Sequence, residues 1–234
     1  MGALRAAQPH MRSVSRCYAI GDVHGRFDLL TRALDEIGDL EAQDARLVML
    51  GDYVDRGPQS REVVDELMRR SLHERVVCLR GNHEEMMLNS LEDPGAEIQW
   101  LLNGGAATLA SYGGTVPPEH LAWLRGLPIA YATEHQFFVH AGVRPGVPLD
   151  AQKPEEMLWI RRLFLDSDED FGKHVVHGHT PARQPELRAN RSNLDTGAFQ
   201  TGTLTVGVFD GPGGPTEVWS VRKDGVTKRV VEPV

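Results

Sequence analysis

Three short stretches repeat one plan at a spacing of about thirty residues. Tyr18-Ala19-Ile20 runs into Gly21-Asp22-Val23-His24-Gly25. Val48-Met49-Leu50 runs into Gly51-Asp52-Tyr53-Val54-Asp55-Arg56-Gly57, and Val77-Cys78-Leu79-Arg80 into Gly81-Asn82-His83-Glu84. In each, an apolar strand-length run is followed by a glycine, then Asp or Asn with His or Asp close behind. Thirty residues is the length of one strand–helix–strand unit. Three parallel strands built this way present their loops side by side at the carboxyl ends, where open α/β sheets place their sites.

The segments between the motifs fit this plan. Leu29, Leu30, Ala33, Leu34 and Ile37 recur at helical spacing, with Gly38 as a stop. Arg46–Leu50 reads as the second strand, Ser60 as the N-cap of a helix buried through Val63, Val64, Leu67 and Met68, and Val76–Leu79 as the third strand. From 84 to 127 the pattern changes to short helical pieces broken by Pro94-Gly95, Gly104-Gly105, Gly113-Gly114 and Pro117-Pro118, a helical insertion beside the site. Strands resume at Ile129–Tyr131 and Phe137–Val139, the latter ending in His140-Ala141-Gly142. A helix or loop–helix is expected over Pro154–Phe164, and a strand over Lys173–Val176 ends in His177-Gly178-His179-Thr180. The remainder alternates β-rich segments with turns: Asn193–Asp195, Leu204–Phe209, Gly211–Gly214, Glu217–Val221 and Val226–Val231.

Composition narrows the class. With 41% hydrophobic and 25% charged residues over 234 positions, the chain can bury a full core. Residues 17–234 are expected to form one domain, and 1–16, with Arg5, Arg12 and Arg16 but no apolar h-region, an unstructured arm and not a signal peptide. The formal charge of −8 argues against a nucleic-acid-binding face, and no apolar run approaches a membrane span. Cys17 and Cys78 fall in strands and read as small core residues of a reducing compartment. A cytoplasmic monomer is the expectation.

Five strand ends thus carry Asp22, His24, Asp52, Asn82, His140 and His179. Residues two apart on an extended segment point the same way, so Asp22 and His24 can grip one ion together. Oxygen and imidazole ligands without thiolate suit Mn²⁺, Fe or Zn²⁺. Six ligands with one shared carboxylate can hold two such ions, which would clamp the attacking and leaving oxygens of an in-line displacement. A lone Gly-Asp is usually a turn; six such residues at successive strand ends are not explained that way.

The motifs Gly21–Gly25, Gly51–Gly57 and Gly81–Glu84 resemble the three signatures of the PPP phosphoprotein phosphatases, within the calcineurin-like metallophosphoesterases. His140-Ala141-Gly142 and Gly178-His179 resemble the two later histidine motifs, so the likeness runs from about Ile20 to Thr180. It implies an α/β fold, a two-sheet β-sandwich flanked by helices with the site at strand C-terminal ends. It also implies two divalent ions, Mn²⁺ foremost. Asp22, His24 and Asp52 would hold one and Asp52, Asn82, His140 and His179 the other, with His177 a rival to His179 kept outside the ligand shell.

Hydrolysis also needs a proton donor for the leaving oxygen. His83 follows Asn82 directly, and Asp55 can orient it; the family uses its matching pair in this way. Arg56 and Arg80 flank the motifs and can grip phosphate oxygens. Arg161, or its neighbour Arg162, resembles a third phosphate-gripping arginine of bacterial members. Asp195-Thr196-Gly197 resembles a segment after the last ligand, and an Asx turn explains it equally well. The expected activity is therefore a phosphomonoester hydrolase, foremost a bacterial-type serine/threonine phosphoprotein phosphatase in which metal-bound water attacks phosphorus in line. A symmetrical diadenosine tetraphosphate hydrolase is the alternative, because Trp100–Gly105 and Thr108 resemble a segment present in both. A fold kept only as a binding scaffold would have lost ligands or the histidine, and this chain keeps them all.

Overall fold

The computed structural model describes residues 16–232, so the expected arm falls outside the described residues except for Arg16, which already opens the first strand. The apolar runs before the three motifs form β1 (Arg16–Ile20), β2 (Ala45–Met49) and β3 (Val76–Cys78). They are parallel neighbours, with Ile20 opposite Met49 and Met49 opposite Cys78. Between them run α1 (Phe27–Ile37) and α2 (Ser60–Arg70). The apolar stripe of α1 is buried as expected, and Gly38, at φ 71°, closes it. Ser60 is not the cap of α2 but its first residue, following Gln59; its hydroxyl instead accepts the Asp55 N–H at 3.1 Å.

The insertion comprises α3 (Asn82–Ser90), α4 (Pro94–Trp100), α5 (Ala106–Ser111) and α6 (Pro118–Gly126). The expected break at Gly104-Gly105 is met: Gly104, at φ 112° and ψ 3°, is a non-helical kink within the Leu101–Gly105 turn that links α4 to α5. Then come β4 (Ala130–Ala132), β5 (Gln136–Val139), α7 (Pro154–Trp159), α8 (Arg162–Leu165), β6 (His174–His177), β7 (Glu186–Leu187) and β8 (Arg191–Asn193). A single turn, α9 (Ala198–Thr201), precedes β9 (Leu204–Phe209), β10 (Glu217–Arg222) and β11 (Gly225–Val230). No helix among the described residues is long and apolar enough to cross a membrane.

Two sheets result. The first has the order β11-β10-β9-β1-β2-β3, the second β4-β5-β6-β8-β7. β1, β2 and β3 are parallel to one another, as are β5, β6 and β8, whereas β4 and β7 flank the second set antiparallel and the last three strands add to β1 as an antiparallel meander. Alternation along the strands explains the stacking. Tyr18 and Ile20 on β1, with Leu47 and Met49 on β2, face the helices α1, α2 and α6. Cys17, Ala19 and Val48 face the other way, meeting Phe138, Val176, Leu194 and Phe209 in a dry layer between the sheets. Beyond the second sheet, Phe137, Val139 and Val175 pack on Met157 and Phe164. The sequence-based expectation of a sandwich flanked by helices is met.

Phe138 is fully buried in that layer, edge-on to Phe209 with ring centroids 5.9 Å apart. Phe138→Ala should cost about 3–5 kcal/mol of unfolding free energy, the usual penalty for emptying such a site. Chemical denaturation reads it; a loss below about 1 kcal/mol would mean the sheets are not held together there.

Candidate active site

Five strands deliver the polar residues to one edge. Asp22 and His24 follow β1, Asp52 and Asp55 follow β2, Asn82 opens α3 after β3, His140 follows β5 and His179 follows β6. All six expected ligands are at most 4% exposed. The backbone there is strained: of six non-glycine residues at positive φ among the described residues, five are His24, Asp52, Asp55, Arg56 and His179. Such conformations cost of order 1–3 kcal/mol each and concentrate at functional sites.

Asp52 occupies the centre. Its Oδ2 lies 3.4 Å from His24 Nε2 and 3.9 Å from His83 Nε2, while its Oδ1 lies 3.3 Å from His140 Nε2. Two potential metal-holding groups share it: His24, Asp52 and His83 on one side, Asp52, His140 and His179 on the other. Asn82 Oδ1 stands 2.8 Å from both His140 Nε2 and His179 Nδ1. Asp22 is set slightly apart, accepting the His179 N–H at 3.1 Å.

The backbone fixes ring orientation. His24 Nδ1–H donates to the Val54 carbonyl at 2.8 Å, and His140 Nδ1–H to the Leu50 carbonyl at 2.9 Å. Each therefore turns an Nε2 lone pair to the centre, the usual outer-shell arrangement of metal-binding histidines. Burial favours the neutral imidazoles, lowering His24 to about 3, His179 to about 2, and His140 as well. Burial opposes the charge on Asp52 too, but the surrounding imidazoles hold its carboxyl far below the usual range. Burial and the Asp195 and Asp52 charges push Asp22 up. Lone pairs and negative charge thus converge in a buried space, a donor set that fits hard or borderline divalent cations.

Beside this cluster, His83 Nδ1 lies 2.6 Å from Asp55 Oδ2, leaving Nε2 toward Asp52. Burial alone would lower the His83 imidazole, yet the Asp52 charge and the Asp55 hydrogen bond outweigh it and the net shift is upward. Arg56 donates to His24 Nε2 at 2.8 Å and lies over the Phe199 ring, at the mouth of a groove of about 300 Å³ shared with Leu102, Asn103 and Gly104. Arg161 reaches Thr180 Oγ1 at 3.5 Å, and its charge lowers His140 and His179, whereas Arg162 lies by Pro145 and Asp166. Arg80 is engaged elsewhere: its guanidinium donates to Glu85 and to the Arg125 carbonyl.

His177 is buried against Phe164, and its Nδ1–H donates to the Gly178 carbonyl, outside both groups. Asp195 makes the expected Asx turn, accepting the Gly197 N–H, and burial pushes it up to about 6. Sequence reading gave no role to Glu84, whose carboxylate accepts the N–H groups of Gly81, Asp52 and Tyr53 at 2.7–2.9 Å and locks two loops together. A glutamate three residues past a helix-starting glycine is a recognisable capping signal, so that much was legible.

Comparison with known proteins gives the class. Residues 15–201 match the calcineurin-like phosphoesterase family, and the chain belongs to it. It is 30% identical over 202 residues to serine/threonine-protein phosphatase 1 of Salmonella typhimurium, covering 81% of this chain and 89% of that protein. It is 34% identical to a symmetrical bis(5'-nucleosyl)-tetraphosphatase of Aromatoleum aromaticum, over 70% of this chain and 57% of that one. A protein serine/threonine phosphatase structure from Saccharomyces cerevisiae superposes with a TM-score of 0.66 at 15% identity, over 94% of this chain and 81% of that one. The chain is a hydrolase of the phosphatase type.

His177 offers a clean pH test. Its buried imidazole is lowered to about 3 from 6.5, so the unfolded chain holds the extra proton between those values. Its contribution is whole above pH 6.5 and is lost as pH falls toward 3. In His177→Phe the unfolding free energy of the metal-free protein should fall less steeply through that window, by up to about 1.4 kcal/mol per pH unit. Parallel profiles for the two proteins would show that the imidazole is not held neutral.

Proposed function

We propose that the chain is a dinuclear-metal phosphomonoester hydrolase whose first substrates are phosphoserine and phosphothreonine in proteins. One observation carries this reading: a single carboxylate, Asp52, faces two imidazole groups, with a histidine–aspartate pair at their edge. Asp22, His24 and Asp52 are assigned to one ion and Asp52, Asn82, His140 and His179 to the other; Mn²⁺ suits the donors best, with Fe or Zn²⁺ acceptable. Such a pair supplies Lewis-acid charge on phosphate oxygens and a water acidic enough to attack phosphorus.

The chain's own groups do the rest. His83, whose protonated form the Asp52 and Asp55 charges favour against burial, aims Nε2 at the cluster and gives its proton to the leaving oxygen. Arg56 and Arg161, on opposite sides, pair with the non-reacting phosphate oxygens. Arg80 would have to leave Glu85 to join them and is assigned to steadying the start of α3.

The similarity to the Salmonella phosphatase over 89% of its length supports a phosphoprotein substrate, and the Aromatoleum relative supports dinucleotide tetraphosphates as the second reading. Mn²⁺-loaded protein offered a phosphoserine peptide and diadenosine tetraphosphate side by side should release phosphate from the peptide with the higher kcat/KM. Preference for the dinucleotide would replace the first reading with the second. In either case His83→Ala should lower kcat at least ~10²-fold for a phosphoserine peptide, the loss expected for a general acid; near-normal turnover would remove the pair from the chemistry.

A further inference from the structure

Beyond α3 the helical insertion contributes no expected ligand, yet it supplies two of the side chains that hold Asp55. That carboxylate is fully buried. Its Oδ1 accepts Trp100 Nε1–H at 2.9 Å and Thr108 Oγ1–H at 2.7 Å, and its Oδ2 lies 3.0 Å from the same indole nitrogen and 2.6 Å from His83 Nδ1. The Asp55 N–H donates in turn to Thr108 Oγ1 at 2.8 Å and to Ser60 Oγ at 3.1 Å. Thr108 therefore holds both the carboxylate and the backbone of a residue strained to φ 73°. Trp100 and Thr108 are 3% and 0% exposed.

The kinked turn at Gly104 brings these two residues to one point. A Cβ on Gly105 would lie 2.5 Å from the Trp100 ring, and one on Gly104 2.8 Å from Arg56 Cγ. The Gly104 carbonyl also accepts the Arg56 N–H at 3.2 Å. The turn that presses the indole onto Asp55 thus also fixes the phosphate-facing arginine. A carboxylate with one remaining task, facing His83, is held by two neutral donors from outside the strand-end loops. Charge-bearing hydrogen bonds of this kind are the strong ones, and they set direction as well as energy.

We propose that Trp100 and Thr108 are positioning residues that act through Asp55 to aim the His83 imidazole at the leaving oxygen. This rests on the reading of His83 as proton donor. In that step water's oxygen bonds to phosphorus, the bond from phosphorus to the leaving oxygen breaks, and the proton of His83 Nε2 passes to that oxygen. Misaiming the imidazole slows this transfer most where the leaving oxygen is most basic, and hardly where the departing group is stable as an anion.

The test is a series of monoesters from p-nitrophenyl phosphate to phenyl and alkyl phosphates, with Mn²⁺-loaded wild type, Trp100→Phe, Thr108→Val and Thr108→Ser. Phe keeps the packed ring and Ser keeps the hydroxyl. For Trp100→Phe and Thr108→Val, kcat should fall about tenfold or more on alkyl esters and less than about threefold on p-nitrophenyl phosphate, with KM little changed. Thr108→Ser should recover most of the loss. Equal losses on every ester, or Ser no better than Val, would reduce the two residues to packing and overturn the proposal. His83→Ala in the same series separates the two levels: a leaving-group-independent loss there removes the proton donor itself. In the metal-free protein, the Trp100 indole N–H resonance should be downfield and slow to exchange, and lose both properties in Asp55→Ala. An unmoved resonance in a folded variant would contradict the hydrogen bond.

Discussion

One buried carboxylate shared between two clusters of imidazoles is the constraint on which the rest of this structure depends. Asp52 sits at φ 53°, and its loop approaches the next so closely that a Cβ on Gly81 would lie 2.2 Å from its Oδ1. Across the cluster, a Cβ on Gly178 would lie 2.0 Å from Asp22 Oδ1. Only glycine permits these approaches, the first between neighbouring loops of one sheet and the second between loops of the two sheets. The Asp52 side chain further accepts the His83 N–H at 3.0 Å, which ties His83 to the same centre. Parallel strands put the loops on one edge; the shared aspartate turns that edge into a site.

How much of this was legible follows from distance along the chain. The three signatures, the helices between them and the two later histidines are local patterns, and the strands, turns and candidate ligands lie where those patterns put them. The antiparallel meander was not, because alternation shows that Leu204–Phe209 is a strand but not that it inserts beside β1. Ser60 was misread for a related reason: a serine before an apolar stripe satisfies the capping pattern, while its actual partner, the Asp55 N–H, belongs to the preceding loop. Arg80 matched by position, but Glu85 one turn into α3 engages its charge. The holding of Asp55 by Trp100 and Thr108 spans 45 and 53 residues and leaves no periodic trace.

Chemistry and substrate choice are separable in this arrangement. On the proposed reading, the cluster, His83 and the arginines answer to a phosphate group, which phosphoproteins and dinucleotides both carry. What lies beyond the phosphate meets a different surface, where Leu102, 77% exposed, and Phe199 border the groove next to Arg56. Similarity to relatives named for both substrate types is compatible with that separation. The insertion contributes Leu102 to that groove and Trp100 and Thr108 to the surroundings of Asp55.

The occupancy of the cluster is the most direct test. Calorimetric titration of metal-free protein with Mn²⁺, paired with anomalous diffraction from loaded crystals, should find two ions per chain with Asp52 between them, and Asp52→Ala should weaken both. A single ion, or two sites indifferent to the loss of Asp52, would contradict a shared-carboxylate centre.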